Sequence, residues 1–175
     1  MNHPFALPLS LATAVLLAAC SVGGPDDSDS VFRHFSIRDS AVVVHAPALP
    51  DALVDASGTL SLEGKAVPTT PAQRALLVRY HADVLTLRRQ AIEVGKAGIR
   101  TAGKAIGSVV AGLASGSPDS IGPKVEARAE DVRTDVAAMC ATLRDVRTTQ
   151  DAIATQLAPF RPYATLTAAE VDDCR

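Results

Sequence analysis

Ten positions near the C-terminal end of the chain constrain its fold more than any others. Val125, Ala129, Val132, Val136, Met139, Leu143, Val146, Gln150, Ile153 and Leu157 are separated by nine intervals that alternate four and three. This spacing lines them along one side of an α-helix as a continuous seam, and so long an apolar seam has to be covered by another helix. Glu126, Arg128, Glu130, Asp131, Arg133, Asp135, Arg144, Asp145 and Arg147 fill the other faces, which therefore stay in water. Pro159 and Pro162 stop the helix, because proline supplies no backbone donor and clashes with the preceding turn.

The covering helix lies just upstream. Thr70-Pro71-Ala72-Gln73 places a hydroxyl at the N-cap, proline at the first helical position and glutamine where it completes a capping box. Leu77, Tyr80, Val84, Leu87, Ala91, Val94 and Gly98 then repeat the alternation of three and four. After Gly98 the apolar register is expected to move by one residue, to Ile99, Ala102, Ile106, Val109 and Leu113, as in a stutter. Ser115-Gly116-Ser117-Pro118 breaks this helix, and Gly122-Pro123 ends the connection. Helices over 70–115 and 124–158 joined so briefly form an antiparallel hairpin. A tail over 159–175 follows, where Phe160 and Tyr163 are expected to plug the hairpin's open end or pack on a sheet.

Between residues 31 and 68 the period changes from helical to two. Phe35 and Ile37 alternate with Ser36 and Arg38, Asp39-Ser40 reads as a turn, and Ala41 to Val44 is an apolar run. Pro47 and Pro50 interrupt pairing. Leu60 and Leu62 alternate with Ser61 and Glu63, and Gly64-Lys65 turns the chain into Ala66-Val67. Three or four short strands in an antiparallel meander are expected, too small a sheet to stand alone. The fold class is α+β, mostly α. Aromatic residues make up only 3% and there is no Trp, so the core must come from Leu, Val, Ile and Ala, which suits packed helices better than a deep enzyme cleft.

The first 19 residues are read as an address. Leu7 to Ala19 is an apolar run of h-region length, and Leu17-Ala18-Ala19-Cys20 resembles the lipobox of bacterial lipoproteins. Only the amino terminus and His3 supply positive charge ahead of it. The resemblance implies cleavage before Cys20, a diacylglyceryl group on its sulfur and a fatty acyl chain such as palmitate on its amino group. Ser21, rather than Asp, directs the product to the outer membrane. An ordinary secretory signal that happens to end in Cys is the alternative. Residues 20–30 form an acidic, flexible tether, and 31–175 a single domain.

With Cys20 lipidated, Cys140 and Cys174 remain as an even pair in an oxidising compartment and are expected to form a disulfide. Gly95, Gly98, Gly103, Gly107 and Gly112 weaken the first helix by up to about 1 kcal/mol each relative to Ala, so a compensating contact is expected. Close packing against the second helix is the favoured explanation, and a face for self-association or lipid contact the alternative. A phosphate-binding loop is excluded, because these glycines lie inside a helical pattern.

No catalytic residue is identified. His34, His45 and His81 lack metal-ligand spacing, no G-x-S-x-G elbow occurs, and Asp83 and Glu93 read as solvated side chains on a charged helix. No metal, cofactor or nucleic acid is expected. The basic residues from Arg74 to Lys104 spread around the helix, and the formal net charge is −2.

Ser36-Ile37-Arg38-Asp39, the run from Gly58 to Val67, Thr70 to Leu77 with Tyr80, and the turn Pro159-Phe160-Arg161-Pro162-Tyr163 together resemble the YggN-like family. Its members are bacterial envelope proteins classed as a domain of unknown function. The resemblance implies a periplasm-facing location and strands followed by helices, and it transfers no site residues. The expected function is that of an outer-membrane-anchored lipoprotein, a non-enzymatic module that binds or scaffolds another envelope protein. A membrane-active or self-oligomerising lipoprotein using the glycine face is the alternative, and an enzyme or metal-binding protein the third reading.

Overall fold

A computed structural model describes residues 32–115 and 121–174. Cys20, the signal segment 1–19 and the tether 20–30 lie outside the described residues. Five strands come first: β1 (Phe35–Arg38), β2 (Ala41–Val44), β3 (Ala52–Val54), β4 (Leu60–Leu62) and β5 (Lys65–Ala66). They form an antiparallel meander in the order β1-β2-β3-β4-β5. Two long helices follow, α1 (Pro71–Ser115) and α2 (Ile121–Gln156), then a 3-10 segment (Ala158–Tyr163) and the short α3 (Ala168–Asp172). The α+β, mostly helical class and the antiparallel hairpin are as expected from the seams.

The sheet has one more strand than the upper expectation. β3 begins two residues after Pro50 and is apolar at all three positions, so it shows no alternation to be read from sequence. It is nonetheless central, pairing Val42 with Val54 on one side and Val54 with Leu60 on the other. The tight turns are Asp39–Ser40 and Glu63–Gly64, with φ of 50° and 67° in the first and 50° and 76° in the second. Positive φ at both central residues gives the twist that matches flanking strands. Between β3 and β4, the Asp55 carboxylate accepts from the Ser57 and Thr59 N–H groups at 2.9 and 2.8 Å. The Ser57 hydroxyl is the main cause that holds the Asp55 pKa below its usual value, with the Thr59 N–H next.

Thr70 and Gln73 make the expected capping box, Gln73 N–H to Thr70 Oγ1 at 3.2 Å and Thr70 N–H to Gln73 Oε1 at 2.9 Å. α2 starts at Ile121 rather than near Lys124, so Gly122 and Pro123 belong to its first turn, where a missing N–H costs nothing. Gln73 Nε2 donates to the Gln156 carbonyl at 2.7 Å, tying the start of α1 to the end of α2.

The core sits where the sheet, the base of the hairpin and the tail meet. Leu77, Tyr80, Val84 and Leu87 from α1 pack with Leu143, Val146, Ile153 and Leu157 from the α2 side. Phe35, Val42, Val44, Ala52, Val54 and Leu60 supply the sheet face. Phe160 and Tyr163 are buried in this core with Tyr80 and Phe35, so aromatic rings supply part of a core expected from aliphatic side chains alone; Phe160 meets Tyr80 edge-on at 5.8 Å. Gln150, a polar member of the seam, is 1% exposed yet satisfied: its amide donates to the Leu166 carbonyl and accepts from the Leu166 N–H. Further from the sheet the seam is only half-buried, at Ala91 and Val94 on α1 and at Ala129, Val132 and Val136 on α2. The stutter after Gly98 is not observed at its first two positions. Ile99 is 77% exposed and Ala102 exposed, while Ala97 and Thr101 are half-buried, so the covered stripe continues from Val94 through Ala97 to Thr101.

Candidate functional site

β1 is a terminal strand of the sheet with one edge free. The His45 N–H donates to the His34 carbonyl at 2.8 Å, which marks His34 and His45 as a hydrogen-bonded pair. By the alternation of an antiparallel ladder, Ser36 pairs this way with Val43 and Arg38 with Ala41. The N–H and C=O groups of Phe35 and Ile37 then point off the sheet, and no strand among the described residues pairs with them. Beside this edge lies a cleft of about 520 Å³ between Phe32, Phe35, Ser36 and Ile37 on one wall and Val84, Arg88, Ala91 and Ile92 on the other. Phe32 and Ile92 are 41% and 45% exposed. Arg88 is exposed and forms no ion pair among the described residues.

Strand alternation turns Ser36 to the face opposite Phe35 and Ile37. There Ser36 Oγ lies 3.0 Å from His45 Nε2, and His45 Nδ1 lies 2.7 Å from Asp51 Oδ1. A carboxylate only accepts, so Nδ1 carries the proton; Nε2 of the neutral ring is then the acceptor for the Ser36 hydroxyl. His45 is held by its own backbone, since its carbonyl accepts from Thr165 Oγ1 at 3.4 Å while its N–H is in the ladder. Asp51 follows Pro50, whose carbonyl accepts from the Tyr163 hydroxyl at 2.8 Å. Arg38 approaches the other Asp51 oxygen at 3.9 Å.

A second histidine joins the start of the described chain to its end. His34 Nε2 meets Glu170 Oε1 at 2.8 Å and Nδ1 meets Thr165 Oγ1 at 2.8 Å. Burial on its own would raise the Glu170 pKa, but the Thr167 hydroxyl and N–H, with His34, outweigh it and hold the carboxyl at about 2. Thr167 and Glu170 also form the capping box of α3. His81 is buried, and its Nε2–H donates to the Ser40 carbonyl at 2.7 Å, fixing the first hairpin turn to α1.

Cys140 and Cys174 are joined as expected, their Cα atoms 5.6 Å apart. The glycines do not do what was favoured for them. A Cβ built on Gly95, Gly98 or Gly103 would meet nothing within 4 Å, so none of these three lets α2 approach closely. They fall where the hairpin is thin and turn toward open space. Gly107 and Gly112 lie where the backbone path alone is described. Glu93 is an exposed partner of Lys96, as expected. Asp83 is not simply solvated: it faces α2, where burial raises its pKa against the opposing pull of Arg79, and Thr149 donates to it at 3.4 Å.

Sequence reasoning missed the grouping of Ser36, His45 and Asp51. The signal was present in the Asp39–Ser40 turn, because a two-residue loop sets Ser36 opposite Val43 and hence His45 diagonally beside it on the same face. Among the described residues no group of three or more His, Cys, Asp or Glu is arranged to hold a metal, and no helix is long and apolar enough to cross a membrane. Compared with protein-family models, curated proteins and solved structures, the chain matches none.

Proposed function

We propose that this chain is an outer-membrane lipoprotein, anchored through lipid on Cys20 and facing the periplasm, whose folded part binds an extended segment of another envelope protein along β1. The resemblance of residues 17–20 to a lipobox, and of the chain to the YggN-like family, supports the address. The unpaired edge of β1 over an apolar cleft carries the binding reading. An added strand gains main-chain hydrogen bonds from Phe35 and Ile37 and lays alternate side chains over Ala91 and Ile92. Arg88, unpaired on the same wall, calls for a carboxylate in that segment. The partner strand is therefore an alternating apolar sequence with an acidic residue.

A photo-crosslinking residue at position 92 in membranes from producing cells tests this, with position 133 on α2 as the remote control. The expected product is one recurring partner, captured at 92 through a short acidic and apolar segment and not at 133. Ile37→Pro deletes an outward N–H without touching the β1–β2 ladder, and it should abolish capture. Capture that survives Ile37→Pro in a folded variant, or none at 92, overturns the reading.

A second reading rests on the open glycines. Ile92, Gly95, Ile99 and Gly103 form a stripe on α1 roughly opposite Val94, Ala97 and Thr101, which face α2. Two copies crossing antiparallel there would set isoleucines against glycines and bring Glu93 of each toward Arg100 of the other. Multi-angle light scattering in detergent decides it: a dimer dissociated by Gly103→Leu supports this reading, and a monomer excludes it.

A further inference from the structure

We propose that Ser36, His45 and Asp51 are a nucleophile, base and orienting carboxylate, and that the outer face of β1 is an acyl-transfer site for esters and thioesters. The observation is the unbroken chain of contacts, 3.0 Å from Ser36 Oγ to His45 Nε2 and 2.7 Å from His45 Nδ1 to Asp51 Oδ1. Each ring nitrogen faces the partner its role requires. Asp51 fixes the tautomer that leaves Nε2 free to take a proton, and the Ser36 hydroxyl is the group that offers one. Ser36 is exposed, so an electrophile can reach it. The Arg38 guanidinium, on the same face as Ser36, is the donor offered to the oxygen that becomes negative.

In the first half-reaction Ser36 Oγ bonds to the ester carbonyl carbon while its proton passes to His45 Nε2. Collapse breaks the bond to the leaving alcohol or thiol, which takes that proton, and the acyl group stays on Ser36. Water then attacks the acyl carbon, losing a proton to Nε2. Ser36 leaves with that proton and the carboxylic acid departs. The net change is ester plus water to acid plus alcohol.

The substrate class follows from the surroundings. His45 and Asp51 are 34% and 38% exposed, so charge developing here is stabilised far less than in a closed site. That favours esters and thioesters, whose leaving groups depart readily, over amides.

The test uses the full-length lipidated protein in detergent and a fluorophosphonate probe, which forms an Oγ–P bond at an activated serine and releases fluoride. Trypsin cuts after Arg33 and Arg38, so Ser36 is read alone in the fragment His34–Arg38. Label is expected there and absent from Ser36→Ala. His45→Gln keeps a hydrogen-bonding side chain but cannot take the proton, and it should slow labelling by about 100-fold. Asp51 is a positioning residue: Asp51→Asn should slow labelling less, and Asp51→Glu should restore part of the rate. Ser57 is the internal control, because its hydroxyl bonds a carboxylate with no imidazole between. The proposal is overturned if folded wild type carries no label on Ser36, if His45→Gln with an unchanged melting curve labels as fast, or if Ser57 labels comparably. Loss of crosslinking at position 92 leaves this result untouched, since labelling needs no partner segment.

Discussion

At the level of single residues, the polar groups of the core hold the tail in place. Gln150 occupies a seam position that an apolar residue would fill in a simple coiled coil, and it exchanges two hydrogen bonds with the Leu166 backbone. Gln150→Leu would preserve the helix but leave a buried N–H and C=O without partners, at about 2–4 kcal/mol by urea denaturation. Gly58 is fixed by its surroundings: at φ +77° a Cβ would lie 2.5 Å from the Arg74 carbonyl oxygen. Gly58→Ala should therefore lower the denaturation midpoint clearly, whereas Gly95→Ala on the open side of α1 should raise it slightly. The Glu170 carboxylate, held chiefly by the Thr167 hydroxyl and N–H and then by His34, gives a pH signature. Glu170 falls from its ordinary 4.5 to about 2 on folding, so the folded state holds fewer protons in that interval. Its contribution is complete above pH 4.5 and is lost as pH falls toward 2. Wild type and Glu170→Gln should thus differ in stability at pH 6 and converge near pH 2.

Among the elements, legibility followed pattern. The hairpin was readable because both seams run for many turns, and the capping box at Thr70 marked where α1 starts. β3 was not: Ala52-Leu53-Val54 is apolar throughout and follows Pro50, so unlike β4 it has no polar alternation to mark it. The shift of register after Gly98 was misplaced for a related reason. Apolar content alone pointed to Ile99 and Ala102, but the stripe that faces α2 is set by continuity with Val94, which keeps Ala97 and Thr101 inward. The catalytic proposal depends wholly on strand register. The expectation of a non-enzymatic module rested on finding no base near a nucleophile in sequence, and pairing of β1 with β2 supplies that neighbour. The disulfide was readable from the parity of the cysteines and the expectation of an oxidising compartment. Alkylation and mass spectrometry should find no free thiol at 140 or 174, and reduction should cost about 3–4 kcal/mol for a closure spanning 34 residues.

For the whole molecule, burial is graded along the hairpin. α1 has 45 residues and is about 68 Å long, yet among the residues whose burial is described its fully buried positions run from Leu77 to Leu87. Hydrogen exchange should follow this gradient: peptides within 91–104 and 126–138 should exchange much faster than those within 77–87 and 143–153. Uniform protection along both helices would mean that something else covers the far half, and a second copy is the first candidate.

The contact between His34 and Glu170 also sets how the molecule bears load. The chain enters the domain beside the segment that ends it, and that last segment is bonded covalently to the middle of α2. Tension on the leading end passes from His34 into the final helix and through sulfur into the longest rigid rods of the structure. The clasp bears this load alongside the His34 carbonyl, whose hydrogen bond to the His45 N–H is the end rung of the β1–β2 ladder. Pulled from its amino terminus in a force experiment, the wild type should yield at a higher force than Glu170→Ala, with the same unfolded length after rupture.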